Sequence, residues 1–164
     1  MVQQTSELDE PLITCDRLVR LGRWNVIKGI GHVGVVVEDL HETLELYERV
    51  FHLKAAAVKD AMDGSLRVAF IPVGDGEIEL IQPMDPNSPF SEFLRARGQG
   101  VHHIALTTDN MDTEIDRMKA EGVVFDTEEP RTGAHGVRII FTQPHTTAGV
   151  THELCAEHWP SSSR

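Results

Sequence analysis

The sequence predicts an α+β fold built from two tandem βαβββ modules, on three observations. A histidine and a glutamate recur in the same order in each half: His32 then Glu79, 47 residues on, and His103 then Glu153, 50 residues on. Each histidine opens a similar run, His32-Val-Gly-Val-Val-Val-Glu-Asp-Leu against His103-Ile-Ala-Leu-Thr-Thr-Asp-Asn-Met. Each half then reads as a strand, an amphipathic helix and three further β-rich stretches.

The first strand is read over Lys28 to Val37, where Ile and Val are dense and β-branched side chains suit a pleated, half-buried surface. Asp39 stands three residues before Glu42, the spacing of an N-cap and its reciprocal partner, so a helix starts there. Leu40, Leu44, Tyr47 and Phe51 recur at helical spacing and give one apolar stripe to lie on a sheet, ending near His52. Strands follow at Lys54 to Asp60, Leu66 to Val73 and Glu77 to Gln82, separated by Asp63-Gly64 and Gly74-Asp75-Gly76 turn signals. Pro83 to Pro89 is a loop, and Ser88 to Arg97 forms a short connecting helix.

The second copy opens with a strand from Val101. Met111, Ile115 and Met118 mark its helix, which Gly122 stops. This stripe reads as packing, with Met filling gaps in the core. Strands are expected at Val123 to Asp126, Val137 to Phe141 and Gly149 to Ala156. The expected organisation is an N-terminal extension over 1–26 and one domain over 27–164, with modules at 27–98 and 99–158 and a short C-terminal tail. Leu18, Leu21 and Trp24 suggest a helix in the extension.

Composition narrows the partners. A formal charge of −11 without a clustered Lys/Arg stretch argues against nucleic acid. No run is apolar for long enough to cross a bilayer as a helix, so no membrane partner is expected. Cys15 and Cys155, far apart and without CxxC spacing, fit a reduced compartment, and the acidic N-terminus resembles no targeting peptide; a cytoplasmic location is the expectation. A homodimer is also expected.

Two imidazoles and two carboxylates brought together by the repeat would form a nitrogen- and oxygen-rich divalent metal site for Zn, Co, Mn, Ni or Fe. Alternation lets only one of His102 and His103 face the same way as His32, and the register of the two copies picks His103. Glu77 and Glu79 share a face, so spacing alone leaves both open; matching Ile78-Glu79-Leu80 to His152-Glu153-Leu154 favours Glu79. His102, His135, His145, His152 and His158 are read as surface, supporting or substrate-loop residues, not ligands. The stretch Gly133-Ala-His-Gly136 reads first as a turn, with substrate contact as the alternative.

The runs Gly31-His32-Val-Gly-Val, Ile78-Glu79-Leu80, Ser88-Pro89-Phe90, Gly100-Val-His-His-Ile-Ala105, Glu129-Pro130-Arg131, Gly133-Ala-His-Gly136 and Gly149-Val150 with Glu153-Leu154 resemble the methylmalonyl-CoA epimerases. That family lies in the vicinal oxygen chelate superfamily, with glyoxalase I and the extradiol dioxygenases. The resemblance spans roughly Ile27 to Glu157. It implies a curved, partly open mixed sheet around a divalent metal, cobalt first, held by His32, Glu79, His103 and Glu153. The implied substrate is an acyl-CoA, methylmalonyl-CoA or a close 2-alkylmalonyl-CoA, epimerised by α-proton abstraction through a metal-stabilised enolate.

Inversion needs a base on one face and an acid on the other. The resemblance implies Glu153 for one. The family's other glutamate, where present, falls on the strand at Leu66 to Val73, where this sequence offers Arg67 or Val68, so the second base is unassigned. After Pro144 the family usually carries lysine; His145 stands here, and with Gly136 it is the substrate-contact candidate. The alternatives are a glyoxalase I-like lyase or isomerase acting on a thiol adduct and a metal-free binding protein of the bleomycin-resistance type. Four protein ligands argue against an extradiol dioxygenase, which uses two histidines and one carboxylate.

Overall fold

A computed structural model describes residues 27–156, and in it the period-two patterning of the strands sorts side chains onto the two faces of one curled, eight-stranded mixed sheet. The elements run β1 (Ile27–Val36), α1 (Leu40–Phe51), β2 (Ala57–Ala61), β3 (Leu66–Val73), β4 (Gly76–Pro83), α2 (Pro89–Arg97), β5 (Gly100–Thr108), α3 (Met111–Ala120), β6 (Arg131–Thr132), β7 (Arg138–Phe141) and β8 (Thr151–Ala156). The sheet order is β2-β3-β4-β1-β5-β8-β7-β6, so each half supplies a four-stranded block and β1 and β5 meet antiparallel at the seam. Flanking the seam, β4 runs parallel to β1 and β8 parallel to β5. This is the expected doubled βαβββ architecture.

On the outer face, Val37, Ala69, Ile71 and Leu80 bury Leu40 of α1, with Leu44 and Tyr47 packed alongside. Met111 and Ile115 of α3 bury against Ile140, Leu154 and Phe125 in the second half, with Met118 beside them. On the inner face, Val36, Leu66, Val68, Phe70 and Ile81 form one cluster, and Ala105, Ile139, Phe141 and Cys155 form another. The inner face is therefore hydrocarbon on both sides of the seam.

Local chemistry fixes the helix ends. Asp39 is extended, and its carboxylate accepts the Glu42 N–H at 2.9 Å; His52 closes α1 in the left-handed region at φ 57°. Ser88 caps α2 ahead of Pro89. Asn110, a cap the periodicity does not single out, accepts the Thr113 N–H at 3.3 Å.

Four expectations need correction. Phe51 is exposed and leans edge-on against Tyr47 instead of joining the buried stripe, because the chain turns away at His52. The first hairpin strand begins at Ala57, since Leu53 and Ala55 pack against the α1 cluster. No strand forms at Val123 to Asp126. There a single bridge joins Phe125 to Thr142, and the Asp126 carboxylate accepts the Phe141 N–H at 3.0 Å, so a side chain occupies a backbone position of the ladder. The last strand begins at Thr151, after a 3₁₀ turn at Pro144–Thr146 and left-handed Ala148 and Gly149. The patterns at Leu18, Leu21 and Trp24, Cys15 and His158 lie outside the described residues. Among those described, no helix is long and apolar enough to cross a membrane.

Candidate metal centre

Register carries the site. At the seam Gly34 of β1 faces Glu79 on β4 and His103 on β5, while Ala105 faces both His32 and Glu153. Four side chains from β1, β4, β5 and β8 therefore converge on the inner face. His32 Nε2 lies 2.9 Å from Glu153 Oε2 and 3.3 Å from Glu79 Oε2, and His103 Nε2 lies 2.9 Å from Glu153 Oε2. The two Nε2 atoms are 3.1 Å apart. All four residues are at most 4% exposed, and one donor atom from each falls within 4.8 Å of all the others.

Gly34 makes this possible. A Cβ there would sit 2.1 Å from His103 Cε1, inside the imidazole ring's own space. Within the sequence Gly34 is only one letter of a run, and its steric role depends on a cross-strand register that the run does not reveal.

The donor set fits a first-row divalent ion. Two carboxylates and two imidazoles, all buried, point their ligating atoms at one another, an arrangement of nitrogen and oxygen donors suited to such ions. Without an ion, the group behaves as a proton-sharing cluster. Burial pulls the His32 pKa down, but hydrogen bonds to Glu153 and Glu79 outweigh it and raise the value to about 10. Burial pushes Glu153 up, yet His103 and His32 hold its carboxyl well below the usual range. Burial also pushes the Cys155 thiol up, which makes it an inert neighbour.

His102 takes part by a route that alternation conceals. Its Nδ1 lies 3.0 Å from His103 Nδ1, and its ring packs against Phe90 and Phe93 at 4.7 and 5.0 Å between centroids. Burial, with His103 beside it, lowers its pKa to about 4. A neutral imidazole at this point fixes the ring orientation of His103 through the nitrogen that faces away from the cluster.

Two phenyl rings flank the cluster at equivalent places in the repeat. Phe70 is the cross-strand partner of Glu79, and Phe141 is the partner of Glu153. The His135 ring lies 4.1 Å from that of Phe70, and the Arg131 guanidinium lies over Phe141 at 5.2 Å, tied to Asp126 at 2.7 Å. His135, Arg131, Phe141 and the four convergent residues line a small inner cavity. A larger outer cleft shares Met62, Leu66, Phe90, Arg131 and Phe141 with it.

The remaining sequence candidates are spread around this core. Val68 is wholly buried on the inner face, whereas Arg67 is exposed and donates from Nε to Asp60. His145 is exposed on the 3₁₀ turn, where its neighbour Pro144 lines the outer cleft. Gly136 is an exposed, left-handed turn residue at φ 79°; its N–H donates to Gly133 O, and the same loop presents His135 to the cavity. Sequence reasoning left His135 among surface, supporting and substrate-loop residues, since only the folded loop brings it over the sheet.

Comparison with known proteins places these features in context. Residues 31–141 match the model of the Glyoxalase/Bleomycin resistance protein/Dioxygenase superfamily. The ethylmalonyl-CoA/methylmalonyl-CoA epimerase of Cereibacter sphaeroides is 31% identical over 131 residues, covering 79% of this chain and 98% of that protein. The mitochondrial methylmalonyl-CoA epimerase of Bos taurus is 30% identical over 132 residues, covering 80% and 75%. Among solved structures, a variant of the Streptomyces coelicolor methylmalonyl-CoA epimerase in complex with 2-nitronate-propionyl-CoA superposes with a TM-score of 0.74 at 28% identity, covering 80% of this chain and 96% of that one.

Proposed function

This chain belongs to the glyoxalase/bleomycin resistance protein/dioxygenase superfamily and, within it, to the methylmalonyl-CoA epimerase family; from that premise we propose that it epimerises methylmalonyl-CoA, or a close 2-alkylmalonyl-CoA, at C2. The observation that carries this reading is the buried convergence of His32, Glu79, His103 and Glu153 at the floor of a cavity that shares its rim with a much larger cleft. The malonyl group would enter beside the four convergent residues, and the larger outer cleft would take the CoA arm.

Held by His32, Glu79, His103 and Glu153, a divalent ion, with cobalt the leading choice and Zn, Mn, Ni or Fe able to use the same donors, would supply Lewis acidity toward the thioester oxygen. The protein's own contribution begins with Glu153. Buried at the cavity floor within 2.9 Å of both imidazoles, its carboxylate is the group placed to accept the α-proton. Phe90, Phe141, Ile81 and Leu66 line the cavity with hydrocarbon and exclude water from it, which strengthens every charge interaction within it. His102 holds His103 in register from behind.

The reading is tested by incubating metal-loaded protein with one epimer of methylmalonyl-CoA and following the appearance of the other with a stereospecific coupling enzyme. Conversion well above the protein-free rate is expected. No conversion with any of the five metals would remove the epimerase assignment and direct attention to thiol adducts of the glyoxalase type.

A further inference from the structure

We propose that His135 is the catalytic residue on the face of the substrate opposite Glu153, with Glu77 as the residue that positions it; this rests on the epimerase reading above. An epimerase must take a proton from one face of C2 and return one to the other. The inner-face position of β3 where a second carboxylate would stand is Val68, an aliphatic side chain that moves no proton. A proton-carrying group must therefore reach that side from another element.

The loop between β6 and β7 provides one. Glu153 lies on β8, on one side of the β1–β5 seam; β4 and β3 lie on the other. The 133–137 loop starts in the second half of the chain but sets His135 over the first half, its ring 4.1 Å from Phe70 of β3 and 5.3 Å from His32 of β1. His135 lines the same cavity as the four convergent residues, and its side chain keeps 24% of its surface open. The loop is closely built. Gly133 N–H donates to Val137 O and Gly136 N–H to Gly133 O, both at 2.9 Å, and a Cβ at Gly133 would meet the Ile139 side chain at 2.8 Å. Glu77 stands behind the imidazole, with Oε2 3.8 Å from His135 Nε2. It lies two residues before Glu79 on β4, hence on the same face, and is the cross-strand partner of His32. The carboxylate thus sits where it can orient the ring.

The proton balance closes. In one direction the C2–H bond breaks, its proton passes to Glu153, and its electron pair delocalises onto the thioester. A proton from His135 then forms the new C2–H bond on the opposite face. In the other direction the roles exchange, and both groups swap protons with water through the outer cleft, between turnovers and before a proton is returned to C2.

The two faces can be tested separately by measuring deuterium uptake at C2 for each epimer in D2O, with metal-loaded His135→Gln and Glu77→Gln proteins beside the wild type. For His135→Gln we expect interconversion and exchange of one epimer to fall by about 10²- to 10⁴-fold. The other epimer, whose proton faces Glu153, should keep exchanging without inverting. Glu77→Gln should give the same one-sided loss at about tenfold, restored in part by Glu77→Asp, and all variants should hold wild-type metal stoichiometry. Equal loss for both epimers, unchanged interconversion, or loss of metal from His135→Gln would each overturn the assignment. If the wild type exchanges neither epimer, the epimerase reading itself falls and the assignment with it.

Discussion

The two halves of the sheet repeat one strand order but finish differently. In the first, β3 and β4 are eight residues each and pair along their full length, with β2 added outside. In the second, β6 has two residues and β7 four, and the edge of the ladder gives way to loops. The matched phenyl rings show what this achieves. Phe70 and Phe141 occupy equivalent places beside Glu79 and Glu153; Phe70 is covered by Lys59 of β2 at 5.0 Å and by His135 from the 133–137 loop of the second half, and Phe141 by Arg131 of β6. The complete ladder supplies a rigid hydrocarbon wall, and the shortened one frees chain to carry chemistry across it.

The most severe way to break this symmetry is at the seam, where both halves meet. His103→Ala should abolish metal retention and turnover together. Gly34→Ala should come close to the same result, a loss of at least about 100-fold in turnover, because the added Cβ takes the place of the His103 ring. Metal analysis of the purified variants checks both; wild-type metal content in Gly34→Ala would show that His103 tolerates displacement.

Truncating the paired rings sharpens the comparison. Phe70→Ala and Phe141→Ala should each destabilise the fold by about 3–5 kcal/mol, since both are buried in inner clusters. Urea denaturation would measure this. A far smaller cost at Phe141 would mean that the second half collapses around the cavity more readily than the first.

The shared cluster also predicts how the metal-free protein responds to pH. The His32 pKa is raised from 6.5 to about 10, so its contribution is complete below pH 6.5 and is lost as pH climbs through about 10. The Glu153 pKa is depressed, so its contribution is present above its ordinary value of 4.5 and lost as pH falls below it. Chelator-treated protein should therefore show a urea midpoint that declines steadily from pH 6.5 to pH 10. A flat profile across that range would contradict the ion-paired cluster.

The smallest contrast lies at the helix caps. Asp39→Ala should cost about 1 kcal/mol, and Asn110→Ala less, in keeping with cap bonds of 2.9 and 3.3 Å. Thermal unfolding of the two variants would order them.

Much of this was legible in the sequence where local pattern and tertiary demand agree. The bounds of β3 follow from alternation between two turns, and α1 begins where Asp39 and Glu42 mark its cap. The four site candidates were separable because the repeat samples each position twice. Legibility failed where a side chain replaced backbone pairing, as Asp126 does beside Phe141, and where the meaning lay in a cross-strand approach, as at Gly34. Alternation rightly removed His102 from the ligand set, but which supporting contact it makes, Nδ1 to Nδ1 with His103, was not legible from where its Cβ starts. Val68 or Arg67 could not be chosen from spacing, yet one buried and one exposed side chain distinguish them at once.

The central claim is that Glu153, within the four-residue cluster, takes the α-proton of a malonyl thioester. Its most direct test is deuterium incorporation at C2 of methylmalonyl-CoA in D2O, using cobalt-loaded protein, a Glu153→Gln variant and a protein-free blank. The account predicts rapid incorporation by the wild type and a rate for the variant close to the blank. Incorporation at the blank rate by wild-type protein with its metal bound, or undiminished incorporation by the variant, would contradict it.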